Sequence, residues 1–221
     1  MAMTVLSGAP DAAAQERTIW EGFHFGVHGG GADHDFNIGQ TAPALPLVTI
    51  RDSADGAVAG IVYGTSWRRG QWVYGTDSDW SWMDADTGLN VTGTVTGPRS
   101  ATVGIDHVFT TRGRAGYLFG HNVLVYGTAG VAFTKAKATG SLIAGGSQSK
   151  RLTGFVYGIG LEATFSNRWF GRIEYLRTDY GDKKFTEVGG GTFNIDLDSD
   201  VVRGVIGYRF DWSPFDILNG G

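Results

Sequence analysis

Period-2 alternation runs through most of this chain. In Val201–Phe210, one set of alternate positions is Val202, Gly204, Ile206, Tyr208 and Phe210, and the other is Val201, Arg203, Val205, Gly207 and Arg209. Successive side chains of a strand point to opposite faces. One face is therefore apolar and ends in aromatics, while the other carries two arginines. The same pattern recurs near residues 19–30, 56–67, 71–83, 102–118, 123–134, 152–165, 169–180 and 199–210, which predicts eight strands. These are long beside the roughly 5–6 residues of a mean strand.

The connections alternate in length. Short turns fall at Arg68-Arg69-Gly70, Phe119-Gly120-His121-Asn122 and Ser166-Asn167-Arg168. The segments 31–55, 84–101, 135–151 and 181–198 are rich in Gly, Ser, Thr, Asp and Asn and read as long loops. Such loops are uncommon in compact soluble domains. Strict alternation puts every long loop at one end, and every short turn with both termini at the other, as in outer-membrane barrels.

Which face meets lipid follows from glycine and the aromatics. Phe23, Phe25 and Val27 alternate with His24, Gly26 and His28; Trp72, Tyr74, Trp80 and Trp82 alternate with Gly75, Asp77, Asp79 and Ser81. Glycines fall repeatedly on the charged side, where a narrow bore needs small residues beside long ones. Large aromatics, namely Trp20, Trp67, Trp72, Trp82, Trp169, Tyr208 and Phe210, cluster near strand ends on the apolar side, the arrangement of interfacial girdles. The reading is an all-β fold: an eight-stranded antiparallel up-and-down transmembrane β-barrel with four long extracellular loops and short periplasmic turns. Residues 1–18 form a flexible N-terminal segment, 19–210 the barrel, and 211–221 a C-terminal periplasmic tail.

Composition narrows the classes. The 221 residues include 36 Gly, 5 Pro and no Cys, with a formal charge of −4. There is no disulfide framework or thiolate metal site, no apolar run that suits a membrane helix, and no basic stretch of a nucleic-acid binder.

The inner face collects Asp77, Asp79, Asp106, Glu162 and Glu174 against Arg112, Arg114, Arg172, Arg203 and Arg209. Buried charges must pair, and eight strands leave a bore that side chains just fill. A static lumen salt-bridge network is the expectation, in preference to a proton relay, an ion path or a latch. Ser66, Ser78 and Ser81 have no histidine in obvious register, so neither catalysis nor a catalytic residue is expected. His24 and His28, about 13 Å apart along one strand face, are too far apart to share a metal ion. Acidic residues at the outer rim are read as diffuse electrostatics, and Arg177, Lys183 and Lys184 as candidates for lipopolysaccharide phosphates.

WEGFHFGVHGGG, TTRGRAGYLFGHNVLVYGTAGVAF, GFVYGIGLEATFSNRWFGRIEYLRTDYG and VVRGVIGYRF, in that order and spacing, resemble the porin-family small outer-membrane β-barrel proteins of alphaproteobacteria, similar in architecture to the OmpA-like transmembrane domain. The resemblance covers residues 19–210. It implies insertion by the outer-membrane assembly machinery, which reads a final strand ending in an aromatic: here Gly204, Ile206, Tyr208 and Phe210. It also implies haem binding in some relatives, with His24 or His28 as the axial ligand. Such chains usually stop at the Phe, whereas this one continues as DWSPFDILNGG, a segment that folds under the barrel, meets a periplasmic or envelope partner, or is mere extension. The functional expectation is a non-catalytic structural outer-membrane protein without a cofactor, in contact with outer-membrane lipid and lipopolysaccharide and part of a larger envelope complex. The alternatives are a surface-loop or haem-binding protein, or a narrow porin-like channel.

Overall fold

A computed structural model describes residues 19–41, 49–91, 99–140, 146–166, 168–181, 183–186 and 192–210. The strands are β1 (Gly22–Thr41), β2 (Thr49–Arg69), β3 (Trp72–Val91), β4 (Arg99–Phe119), β5 (Val123–Gly140), β6 (Ser147–Ser166), β7 (Trp169–Asp179), β8 (Lys183–Thr186) and β9 (Thr192–Arg209). Each long strand pairs antiparallel with the next. β1 closes the barrel on β9 from His24↔Arg209 to Thr41↔Thr192. β7 and the short β8 both lie along β9 and together make one stave, so the wall is a closed eight-stave barrel.

The face assignment holds. Outward side chains between the two strand ends are large and exposed: Val27, Trp80, Phe133, Phe155, Ile159, Leu161, Ile173 and Ile206. On β6, every outward residue from Phe155 to Phe165 is apolar, a band of 11 residues. A tilted strand needs about 9–11 residues to cross the hydrocarbon core.

Two expectations change. Strands continue well into the segments read as long loops, with β1 running to Thr41 and β2 resuming at Thr49. The reason is an inversion of polarity along the staves. Beyond Phe133 the outward residues of β5 are Lys135 and Lys137, while Ala132 and Ala136 point inward and are buried. Beyond Val202 the outward residues of β9 are Asp200 and Asp198, with Val201 and Leu197 inside. Among the described residues, the wall above the lipid turns polar side chains outward and holds a largely apolar interior with His34, Thr134, Thr178 and Ser199 in it, so its outer face has the composition of a loop.

Trp20 is the second change. It is 1% exposed, not part of the lipid-facing aromatic row. Gly22 has φ 105°, a conformation that costs glycine little, and the chain just before it passes under the barrel mouth. There Trp20 packs with Val73, Leu118, Leu124 and Tyr126, and its Nε1 donates to the His121 carbonyl at 3.0 Å.

Candidate functional site

Alternation sends His24 and His28 of β1, Asp77 and Asp79 of β3, Arg112 and Arg114 of β4, Glu162 of β6, Arg172 and Glu174 of β7, and Arg203 and Arg209 of β9 into the bore, all 5% exposed or less. The side chain of Asp106 is outside the described residues. Five guanidiniums and four carboxylates remain among the described side chains.

They form two linked tiers. In the tier nearer the short turns, Glu162 accepts from Arg114 Nη1 at 2.7 Å, Arg172 Nε at 3.0 Å and Arg209 Nη2 at 2.5 Å. Asp77 accepts from Arg172 Nη1 at 3.0 Å and lies 2.6 Å from His24 Nε2. In the outer tier, Asp79 accepts from Arg112 Nη2 at 2.8 Å, Arg203 Nη1 at 2.9 Å and Thr110 Oγ1 at 2.5 Å. Glu174 joins the tiers, accepting from Arg203 Nε at 2.8 Å and the Tyr126 hydroxyl at 2.6 Å.

Aromatic faces support the cations further. The Arg209 guanidinium carbon stands 5.2 Å from the Trp20 ring centre and 5.1 Å from that of Phe170, and those of Arg114 and Arg172 are each 5.5 Å from the Tyr126 ring centre. Such contacts gain strength where water is excluded. The outer tier then gives way to the apolar layer of Ala132, Val156, Leu176 and Val201.

Glycine opposite several of the bulky groups makes this packing fit. A Cβ on Gly60 would lie 2.5 Å from His28 Nε2, and one on Gly160 would lie 2.3 Å from the Tyr126 hydroxyl.

Ser81, read from sequence as having no histidine partner, lies with its Oγ 3.3 Å from His28 Nε2. The arrangement is not a triad. Ser81 Oγ donates to Asp79 at 3.1 Å, His28 Nε2 also faces Arg203 Nη1 at 3.3 Å, and His28 Nδ1 has no hydrogen-bond partner among the described residues. Sequence reasoning missed Trp20, Tyr126 and Phe170, whose rings complete the plug. The signal for Tyr126 and Phe170 was the glycines opposite them, Gly160 and Gly207; Trp20 had none.

On the outer face, His107 stacks on Trp80 at 5.2 Å. Gly204 and Ile206 face outward in the wall, and Tyr208 and Phe210 form an edge-to-face pair at 5.1 Å. At the outer rim Arg177 donates to Asp198 at 2.8 Å and Asp200 at 3.1 Å, and these carboxylates, Asp200 foremost, hold its guanidinium above its usual range. Its charge is thus already answered. The side chains of Lys183 and Lys184, and all of residues 1–18 and 211–221, lie outside the described residues.

Residues 1–210 match the family described as Outer membrane protein beta-barrel domain. The chain belongs to that family. It is 28% identical over 218 residues to the 31 kDa outer-membrane immunogenic protein of Brucella melitensis, covering 91% of this chain and 88% of that one. The 22 kDa outer membrane protein of Rhizobium leguminosarum bv. viciae is 29% identical over 207 residues, covering 91% and 83%. The 25 kDa outer-membrane immunogenic protein of Brucella abortus is 33% identical over 155 residues, covering 69% and 65%. Among solved structures, the outer membrane protein OprG of Pseudomonas aeruginosa superposes with a TM-score of 0.55 at 16% identity, covering 86% of this chain and 97% of that one, which speaks to fold alone. This protein is an outer-membrane β-barrel protein of a Gram-negative envelope.

Proposed function

We propose that the barrel is a non-catalytic structural element of the outer membrane that anchors a larger envelope assembly. The observation that carries this reading is the interior. From Trp20 at the periplasmic mouth, through two tiers of ion pairs, to the apolar layer above, the side chains that fill the bore are buried. A bore filled in this way stiffens a wall. Three further elements complete the proposal. The assembly machinery reads Gly204, Ile206, Tyr208 and Phe210, lipid and lipopolysaccharide surround the wall, and residues 211–221 meet the periplasmic partner.

Haem ligation by His24 or His28 is less well supported. Both imidazoles lie within 3 Å of the position a Cβ would take on a neighbouring glycine, Gly64 and Gly60 respectively, a fit for a ring packed on a wall. A flat macrocycle would need that space.

The test is conductance of the refolded full chain in planar bilayers, with a haem titration beside it. A scaffold gives no unitary current steps and no Soret shift. Regular steps would replace it with the channel reading. A Soret shift lost in His24→Ala or His28→Ala would replace it with the haem reading.

A further inference from the structure

Above the lipid band on the β5–β6 wall, Lys135 and Lys137 point outward and are exposed, and so does Arg151. The register sets Lys135 directly opposite Arg151. Like charges facing each other across an antiparallel pair, with Cβ atoms about 4.5–5.5 Å apart, destabilise a sheet. Lys137 follows two residues on, about 6–7 Å further along the same face. None of the three has an ion pair or hydrogen bond to its side chain among the described residues, in contrast to Arg177 on the same rim. Arrangements of this kind are stable when an anion lies between the cations.

Depth identifies the anion. Lys135 stands two residues above Phe133, which stacks on Phe109 at 6.4 Å in the outer aromatic row. The cations are therefore at headgroup level in the outer leaflet.

Below them, past the exposed Val131 and Phe133, the wall is dented. Gly113, Ala115, Gly127 and Ala129 all face outward on β4 and β5 and neighbour one another in register, Gly113 opposite Ala129 and Ala115 opposite Gly127. With Tyr157 and Ile159 alongside, they line a groove of about 890 Å³. A second groove of about 860 Å³, lined among others by Gly29, Ala163, Gly171 and Gly204, lies on the β1, β6, β7 and β9 side, away from the cations. A cationic cluster at headgroup depth over an apolar furrow in the hydrocarbon layer has the polarity of a phosphorylated lipid.

We propose that the β4–β6 wall carries a specific site for the lipid A portion of lipopolysaccharide. Its phosphates meet Lys135, Lys137 and Arg151, and an acyl chain lies in the furrow. Three uncompensated cations match a diphosphorylated glycolipid better than the single phosphodiester of a phospholipid. The inference rests on outer-membrane residence and is independent of the scaffold reading.

The full chain refolded in detergent is titrated with lipopolysaccharide, and bound lipid is counted by native mass spectrometry. The variants are Lys135→Gln/Lys137→Gln/Arg151→Gln, its charge-conserving counterpart Lys135→Arg/Lys137→Arg/Arg151→Lys, and Gly127→Leu. A Cβ at Gly127 meets no atom closer than 4.0 Å, so Gly127→Leu fills the furrow without a clash at that atom. Heat-modifiable gel mobility confirms that each variant is folded.

The triple Gln variant is expected to bind at least about tenfold more weakly, the worth of one charge-assisted contact. Gly127→Leu also weakens binding, and the charge-conserving variant retains it. Wild-type retention by the folded triple Gln variant, or by folded Gly127→Leu, would overturn the site. Displacement of lipid A by equimolar phosphatidylglycerol, or by inorganic phosphate, would overturn it too, by showing a general anion surface.

Discussion

Glu162 is the group on which three guanidiniums converge, so Glu162→Gln is the sharpest test of the lumen. The side chain is fully buried, within 2.7 Å of Arg114, 2.9 Å of Arg172 and 2.5 Å of Arg209. Gln keeps the volume and removes the charge. Arg114 and Arg172 can still share Asp77, at 3.8 and 3.0 Å. Arg209 is left with the Ile19 carbonyl at 2.6 Å and two aromatic faces. Removing one partner of a buried pair costs about 3–5 kcal/mol, because the remaining charge stays buried. Each 1.36 kcal/mol is a factor of ten, so the folding equilibrium should fall by roughly two to nearly four orders of magnitude.

Urea titration in phospholipid vesicles, with the folded fraction read from unboiled gel mobility, measures this cost. Arg209→Met alone should also destabilise. The double variant should recover much of the loss, since removing both partners relieves the orphaned charge. A Glu162→Gln cost under about 1 kcal/mol, or a double variant equal to the sum of the singles, would refute the argument that the bore is held by interdependent charges.

Trp20→Ala empties the periplasmic mouth and should cost about 3–5 kcal/mol in the same titration, as for other buried aromatics; a lipid-facing Trp20 would cost much less. Ile159→Arg puts a charge into the lipid band at a position 67% exposed, for an expected loss of about 2–4 kcal/mol near midplane. An unchanged midpoint there would mean that the faces are reversed. Gly60→Ala drives a methyl against His28 and the Trp80 carbonyl and should cost about 1–3 kcal/mol by overpacking, visible as a lower urea midpoint.

Much of the barrel was legible because one rule governs the membrane band: outward is apolar, and inward is charged or small. Arg172 and Glu174 against Ile173 and Tyr175 state that rule within four residues. Where the environment changes, the rule changes sign. In β5, Lys135 and Lys137 take the outward positions that Val131 and Phe133 held, and in β9 Asp198 and Asp200 take over from Val202. A pattern read with one sign sees these stretches as polar loop. Shifts in register between Trp82 and Ala85, and between Ile105 and Val108, blur the phase further. Trp20 was misplaced because it precedes the left-handed Gly22, after which alternation begins. The proximity of Ser81 and His28 depended on strand stagger between β1 and β3, which alternation along one strand does not encode.

The change of polarity along the staves also works as a depth gauge. Sinking the barrel by one residue pair would bring Lys135, Arg151, Arg177 and Asp200 toward hydrocarbon together, each at a cost that grows with depth toward about 2–4 kcal/mol for a basic residue at midplane. Raising it by the same step would lift Phe133, Phe155 and Tyr175 into water. With both displacements opposed along β5, β6, β7 and β9, a bilayer of the wrong thickness has to deform to meet the protein. The collar of strand above the lipid thus keeps a fixed height over the membrane surface, whatever its ends carry.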